Sequence, residues 1–298
     1  MHLSTTSKKN VHIVESASSE EGLLFAAAVE EILQAEDASK DRMVAFDCEG
    51  VNLSRLGTVE IVSLCFDTAS SGHDGDDDAE GGSKKVFLVT LGKNPDSEIV
   101  QLLKDLFGSE RVLKVIHDCR MDADALYHCG DNKIILKNIH DTSCFHHVIF
   151  GKEDRNLNDV LSANGLKSNA ARDTSVYRRN PAFWATRPLT RQMIDWASSD
   201  VDKLLELASM QLAAVSEQGK IRAMAKSKAN TTSARDMRVA KGMHVRNPGY
   251  FIGKGGMNLR SLQRRTGTLV YQMRPGDTWF VYYPTETALS AVKRKMEE

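Results

Sequence analysis

MVAFDCEGVNLSRLGTVEIVSLCF, residues 43–66, decides how this chain is read. A short apolar run ends on Asp47 and Glu49, and LGTVEIVSLCF then alternates apolar and polar side chains at period two. The two segments read as antiparallel neighbours in a sheet. Asp47 and Glu49 lie two apart at the end of a strand, so both side chains leave the same face, about 6–7 Å apart along it. Two carboxylates on one buried face repel unless something positive lies between them. The alternative is that the strand simply emerges into solvent at this point.

Working outward, Val11 to Val14 reads as a short strand. Ser18-Ser19-Glu20-Glu21 reads as the cap and acidic first turn of a helix running to about Ala35. After residue 66 the pattern predicts a strand at KKVFLVTL, a helix over Asp96–Phe107, a strand over Val112–Ile116 and a helix over Met121–Cys129. A strand over Ile134–Ile139 follows, then helices through Phe150, over Leu157–Asn164 and over Thr190–Val215. Strands alternating with helices predict an α/β sheet covered on both faces. Residues 70–84, SSGHDGDDDAEGGSK, are too poor in apolar side chains to order themselves and are expected to be a disordered acidic loop. The DGDDD run lacks the downstream Glu and flanking helices of a calcium-binding EF-hand.

The 39 Lys and Arg nearly cancel the 40 Asp and Glu, which hides an asymmetry. Residues 1–214 carry 23 basic and 34 acidic side chains, whereas residues 215–298 carry 16 and 6. An acidic body therefore precedes a basic tail, the charge pattern of a segment that holds a polyanion. Five scattered cysteines without a CxxC pair make no disulfide framework. With no apolar signal segment and no run near the ~20 residues needed to span a bilayer, the expectation is a cytoplasmic or nuclear protein without a membrane partner.

Two further acidic places accompany Asp47 and Glu49. In VLKVIHDCRMDADALYH, Asp122 falls in the first turn of a helix, where the macrodipole favours an anion, and Asp118 and Asp124 compete with it. In TRQMIDWASSDVDKLLELA, residues Ile194, Ala197, Val201, Leu204, Leu205 and Ala208 make an apolar helical stripe. Asp200 sits beside that stripe, while Asp195 and Asp202 face more toward solvent. Cys144, His146 and His147 contain zinc-type donors, but adjacent histidines on a helix point about 100° apart and share one ion poorly.

FDCEG, HDCRMDADAL and FWATRPLTRQMIDWASSDV, in this order over roughly residues 10–214, resemble the three motifs of the DEDD 3′–5′ exonucleases, in the RNase D-like, DEDDy-type branch. The resemblance implies a ribonuclease H-like mixed sheet with flanking helices, and Asp47, Glu49, Asp122 and Asp200 as ligands of two Mg²⁺ or Mn²⁺ ions, with Asp47 bridging both. Two-metal phosphodiester hydrolysis needs cations about 4 Å apart, and hard cations suit all-carboxylate ligation. The chain departs from the pattern at Trp196. The branch carries a Tyr four residues before the last Asp to orient the attacking water, and the sister branch a His five before, where this chain has Asp195. An indole offers one N–H donor and no acceptor.

In the tail, IGKGG at 252–256, Leu259 and Leu262, TGTLV, TWFVYY and TETALSAVKRKM resemble a KH domain over about residues 237–298. The resemblance implies an α+β module that clamps a single strand on its glycine loop. The residues matched to that groove are Ile252, Gly253, Lys254, Gly255 and Gly256, with Arg260 and Arg264 as nearby phosphate contacts. Pro284-Thr285 replaces the glycine usual after the last strand.

The resulting expectation is a disordered start (1–9), an exonuclease-like domain (10–214), a basic linker (215–236) and a KH-like RNA-binding domain (237–298). Together they would make a 3′–5′ exonuclease acting on single-stranded RNA or DNA 3′ ends. The other reading is a non-catalytic RNA-binding adaptor.

Overall fold

The structure is a computed structural model that describes residues 10–35, 42–68, 83–130, 132–151, 156–273, 276 and 278–298. The expected disordered start lies outside the described residues, as does the acidic loop apart from residues 83 and 84, which begin a strand. The chain divides into two compact units. One comprises residues up to Arg172 together with Trp184–Thr231, and the other Asp173–Phe183 together with Thr232–Glu298.

The first unit is built on a six-stranded sheet, ordered β1-β4-β3-β2-β5-β6. Its strands are β1 (Asn10–Val14), β2 (Met43–Glu49), β3 (Ile61–Thr68), β4 (Ser83–Thr90), β5 (Leu113–Ile116) and β6 (Ile139–Asp141). Its helices are α1 (Glu20–Gln34), α2 (Ser97–Gly108), α3 (Arg120–His128), α4 (Thr142–Phe150), α5 (Leu157–Ala163), α7 (Arg191–Val201), α8 (Leu204–Ala214) and most of α9 (Glu217–Asp236). The antiparallel β2–β3 pairing places Asp47 opposite Ser63 and Glu49 opposite Ile61. On its other edge β2 runs parallel to β5, and that pairing ends at Ala45 opposite Val115. The last residues of β2 thus lie beyond the end of β5, in the position where parallel sheets present their sites.

Alternation along β2 sorts its side chains. Val44, Phe46 and Cys48 join a core with Phe25 and Val29 of α1, Ile99, Leu103 and Phe107 of α2, and Ala123 and Leu126 of α3. The Phe46 and Phe107 rings meet at 4.6 Å. Burying such rings contributes on the order of 2–3 kcal/mol each. Asp47 and Glu49 point to the opposite face, the one on which α7 packs against β2, β3 and β4 and α8 against β2 and β5.

Three expectations change. The strand expected over Ile134–Ile139 shrinks to Ile139–Asp141, because the preceding backbone donors are taken by helix ends: Ile134 N–H by Leu126 C=O at 3.2 Å and Lys137 N–H by Phe107 C=O at 3.0 Å. The helix expected over Thr190–Val215 breaks at Asp202-Lys203 into α7 and α8. The stretch 215–236, expected as a linker, is the helix α9. Its contact stripe is made of small residues, with Ala223, Ser227 and Thr231 buried at four-residue spacing, a period that low hydropathy conceals. Ser227 Oγ accepts from Asp141 N–H at 3.2 Å, and Asn230 Nδ2 donates to Asp141 Oδ2 at 3.0 Å.

The second unit contains α6 (Val176–Arg179), and then β7 (Arg238–Met243), α10 (Pro248–Ile252), α11 (Met257–Thr266), β8 (Leu269–Gln272), β9 (Trp279–Tyr283) and α12 (Glu286–Glu297). Its antiparallel sheet has the order β7-β9-β8, and the helices close over Phe251, Leu262, Val270, Trp279, Val281, Leu289 and Val292.

Candidate active site

Asp47, Glu49 and Asp200 converge. Each offers a carboxylate oxygen, and the three oxygens lie within 4.8 Å of one another. β2 supplies the first two from one face of the sheet, and α7 supplies Asp200 from its last turn. Thr190 starts α7 by accepting from Met193 N–H at 3.3 Å, and buried Met193, Ala197 and Val201 seat the helix on the strands. Substrate can reach the cluster, since the Glu49 and Asp200 side chains keep 15% and 17% of their surface exposed.

Asp122, the fourth acid the resemblance implies, lies in the first turn of α3, outside that group of three. It is buried, and its Oδ1 accepts from Cys48 N–H at 3.1 Å, the backbone donor between the two β2 carboxylates. Asp141 positions that turn. Its carboxylate, buried at the end of β6, accepts from Asp118 N–H at 2.9 Å and Cys119 N–H at 3.3 Å, so the start of α3 is tied to the neighbouring strand. These bonds, with those from Ser143 and Asn230, outweigh burial and hold the Asp141 carboxyl below its usual range.

The two competitors are resolved by their partners. Asp118, at φ 58°, pairs with Arg120 at 2.6 Å. Asp124 is fully buried and paired with Arg55, whose N–H and Nε both donate at 2.7 Å, which fastens the loop after β2 to α3. Arg55→Ala is expected to remove the guanidinium from that buried carboxylate while the backbone N–H of residue 55 still donates to it, lowering stability by about 3 kcal/mol. A thermal melt measures it, and a loss under 1 kcal/mol would show the pair to be dispensable.

The three converging carboxylates and the neighbouring Asp122 are all hard to ionise. Burial is the main cause for each, and mutual repulsion adds to it: Asp47 is raised well above the usual range by burial, then by Asp200, Glu49 and Asp122; Glu49 by burial and Asp200; Asp200 by burial. Asp122 is pushed up to about 7, again mainly by burial. Among the described residues the nearby positive charge is Arg172, which sequence reasoning missed because no motif surrounds it. Its Nη2 lies 2.5 Å from Asp200 Oδ2 and its Nη1 3.4 Å from Glu49 Oε1. The segment carrying it is pinned to α7 by Asn169, whose Nδ2 donates to Ser199 C=O at 2.9 Å. One guanidinium does not neutralise four carboxylates. An oxygen-only cluster of this charge fits a hard divalent cation, Mg²⁺ or Mn²⁺.

Residues 24–212 match the profile of the 3′–5′ exonuclease family. This chain belongs to that family.

Its exonuclease domain is of the DEDD type, on a ribonuclease H-like mixed sheet. Ribonuclease D of Nitrobacter hamburgensis is 31% identical over 116 residues, which is 39% of this chain and 28% of that protein. The chain therefore spans under a third of that relative's length. Among solved structures, Trypanosoma brucei RNase D superposes with a TM-score of 0.58 at 19% identity, covering 76% of this chain and 73% of that one. The catalytic core of RRP6 from Trypanosoma brucei gives 0.53 at 16% identity, covering 75% and 52%. Brucella melitensis NrnC gives 0.51 at 19% identity, covering 75% and 90%. At these identities the superpositions show the fold of the exonuclease domain. No helix among the described residues is long and apolar enough to cross a membrane.

Proposed function

We propose that this protein is a metal-dependent 3′–5′ exonuclease that shortens single-stranded RNA. The observation that carries the reading is the convergence of Asp47, Glu49 and Asp200 within 4.8 Å, with Asp122 fixed beside them. A divalent cation held by these residues would supply a hydroxide nucleophile at neutral pH and stabilise the leaving oxygen. The chain's own groups do the rest. Asp122 is oriented by Cys48 N–H and by the Asp141 tether of α3, Asp200 is oriented by Arg172, and β2 sets the spacing of Asp47 and Glu49. Trp196, where the resemblance expects Tyr, stacks on Arg172 with the guanidinium carbon 5.4 Å from the ring centre. Its indole cannot take a proton from an attacking water, so hydrolysis is expected to be slower than with a phenol at this position.

The second unit supports the substrate side of the proposal, read as a KH domain occupying about residues 237–298. Gly253, Gly255 and Gly256 all have positive φ, at 72°, 57° and 79°, in a 3-10 turn between α10 and α11. Lys254 and Gly255 are exposed at the tip, with Ile252 at its entry and Arg260 and Arg264 on α11 behind it. Such a loop lets a nucleic-acid backbone approach the peptide N–H groups closely. Tyr250, 51% exposed, adds a ring on which a base can stack. The RNase D of Trypanosoma brucei has been solved as a GMP complex, which is consistent with a nucleotide substrate here.

A 5′-labelled single-stranded RNA incubated with Mn²⁺ should shorten as a ladder from its 3′ end, faster than the matched DNA. No shortening, with RNA binding retained, would favour a non-catalytic RNA-binding adaptor, the reading to which Trp196 points. Because carboxylates held above their usual range must lose protons to take a cation, Mn²⁺ affinity should rise with pH through about 7. The expected slope is about tenfold per pH unit for each proton displaced. Calorimetry in two buffers of different ionisation enthalpy counts those protons, and zero release would contradict the assigned ligands.

A further inference from the structure

In the second unit, α11 and α12 leave a cleft of about 440 Å³ between them. Leu262 and Ala291 give it an apolar floor, and Arg265, Arg294 and Lys295 line it together with one acid, Glu298. Spacing explains the convergence. Leu262 and Arg265 stand three apart on α11, and Ala291 is followed on α12 by Arg294, Lys295 and Glu298 at three, four and seven, so each helix turns one face to the cleft. Lys295 is paired with Glu298. Arg265 and Arg294 are exposed and have no acidic partner among the described residues. Three cations answered by one carboxylate leave the cleft positive, which favours an anion between them. Arg260 and Arg264 belong to another surface, because at 100° per residue they are turned about 100–140° from Arg265 around α11.

Contacts join this cleft to the glycine loop. The Asn258 amide lies against Gly253 and donates to Tyr250 C=O at 2.7 Å. Lys295 Nζ donates to Tyr250 Oη at 3.2 Å and stands 4.4 Å from the centre of its ring. Resting on the reading of 253–256 as a single-strand clamp, we infer that the α11–α12 cleft is a second subsite for the same RNA. It holds the phosphodiester backbone of nucleotides beyond the roughly four that the loop clamps. Guanidinium forks at Arg265 and Arg294 suit phosphate oxygens, the apolar floor suits a ribose face, and Tyr250 offers a stacking ring on the way. RNA fits better than an acidic protein segment, because the cations continue into an aromatic ring and a loop of open peptide N–H groups, which a strand with both phosphates and bases uses together. Contacts of this kind fix the path of the strand and read no sequence.

The test uses the full chain in chelator and RNAs of four and eight nucleotides carrying a 3′ dye, read by fluorescence anisotropy. The double variant Arg265→Gln, Arg294→Gln is expected to bind the octamer at least about tenfold more weakly than wild type, to lose about 0.7 of salt slope for each phosphate contact removed, and to bind the tetramer unchanged. Arg265→Lys with Arg294→Lys, which keeps the charge, should recover most of the octamer affinity. Equal octamer affinities for wild type and the Gln variant would overturn the inference. Tetramer binding lost in Gly255→Asp shows that the loop reading survives such a result. If wild type binds neither RNA, the loop reading fails and the inference falls with it. Octamers carrying 4-thiouridine and crosslinked to wild type should label residues 262–266 or 291–298, and labelling confined to 250–258 would overturn the inference even if the variants misfold. An Asp-rich peptide held by wild type and released by the Gln variant, with octamer affinity unchanged, would assign the cleft to a protein partner instead.

Discussion

Asp47→Asn is expected to lower Mn²⁺-dependent shortening of RNA by about a thousandfold or more, the equivalent of roughly 4 kcal/mol of transition-state stabilisation. Asp47 is central to the converging carboxylates, and its charge is opposed by Asp200, Glu49 and Asp122 together. The same substitution should make the metal-free protein more stable. A carboxyl whose folded-state titration lies above its unfolded value of about 4 binds its proton more tightly when folded. It therefore costs stability once the pH rises past the unfolded value, and that cost grows until the folded group has also ionised. Removing the charge recovers the loss at pH 7–8 and changes little near pH 4. Melting curves in chelator at the two pH values, run beside the nuclease assay, separate these effects. Asp47→Asn that melts lower at pH 8 and still cuts RNA would contradict both the placement and the role of this residue.

Gly255→Asp should weaken binding of a single-stranded RNA by at least about tenfold at physiological salt and reduce the salt slope of the affinity by about 0.7–1. The position makes it a clean probe. A Cβ built on Gly255 meets nothing within 4 Å, and φ of 57° is a conformation that Asp adopts more readily than most residues. The Cβ meets no clash, the turn takes up some backbone strain, and a negative charge is set beside Lys254. The neighbouring glycines are poorer tests, because a Cβ on Gly253 would lie 2.6 Å from Asn258 Cγ and one on Gly256 2.7 Å from Arg260 Nη1. Asn258 Nδ2 donates to Tyr250 C=O at 2.7 Å, so displacing it would loosen the turn itself. Fluorescence anisotropy at two salt concentrations measures affinity and slope together. Unchanged values would remove the glycine loop from the RNA-binding surface.

The residues of the cluster differ in how readable they were. Strand alternation is a strict period of two, so a DxE at the end of an apolar run places Asp47 and Glu49 on one face, and it was the resemblance to the exonuclease motifs, not the spacing, that favoured a site over a strand end meeting solvent. Asp200 followed from a helical stripe, since a residue beside the apolar side of an amphipathic helix lies near whatever that helix covers. Asp122, Asp118 and Asp124 could not be ranked by spacing. Helix geometry turns Asp122 and Asp124 to different sides, and only the assembled domain decided that Asp124 meets Arg55 while Asp122 meets Cys48.

Local pattern thus determined most element types of the first unit, the strand that bears the acids and the basic character of the tail, because each depends on neighbours within a few residues. The tertiary structure alone decided the rest. Arg172 stands 123 residues from Glu49 in the chain and reaches it at 3.4 Å only because Asn169 pins its segment to α7. Helix α9 was hidden for a related reason. Its stripe of Ala223, Ser227 and Thr231 is too weakly apolar to register as an amphipathic period, and it becomes a packing face only against β6 and α4, where Asp141 accepts from Asn230 and donates to Ser227. Periodicity reports which faces are apolar. It carries no information about which distant charge will be brought to meet a buried carboxylate, and that pairing is settled by the fold.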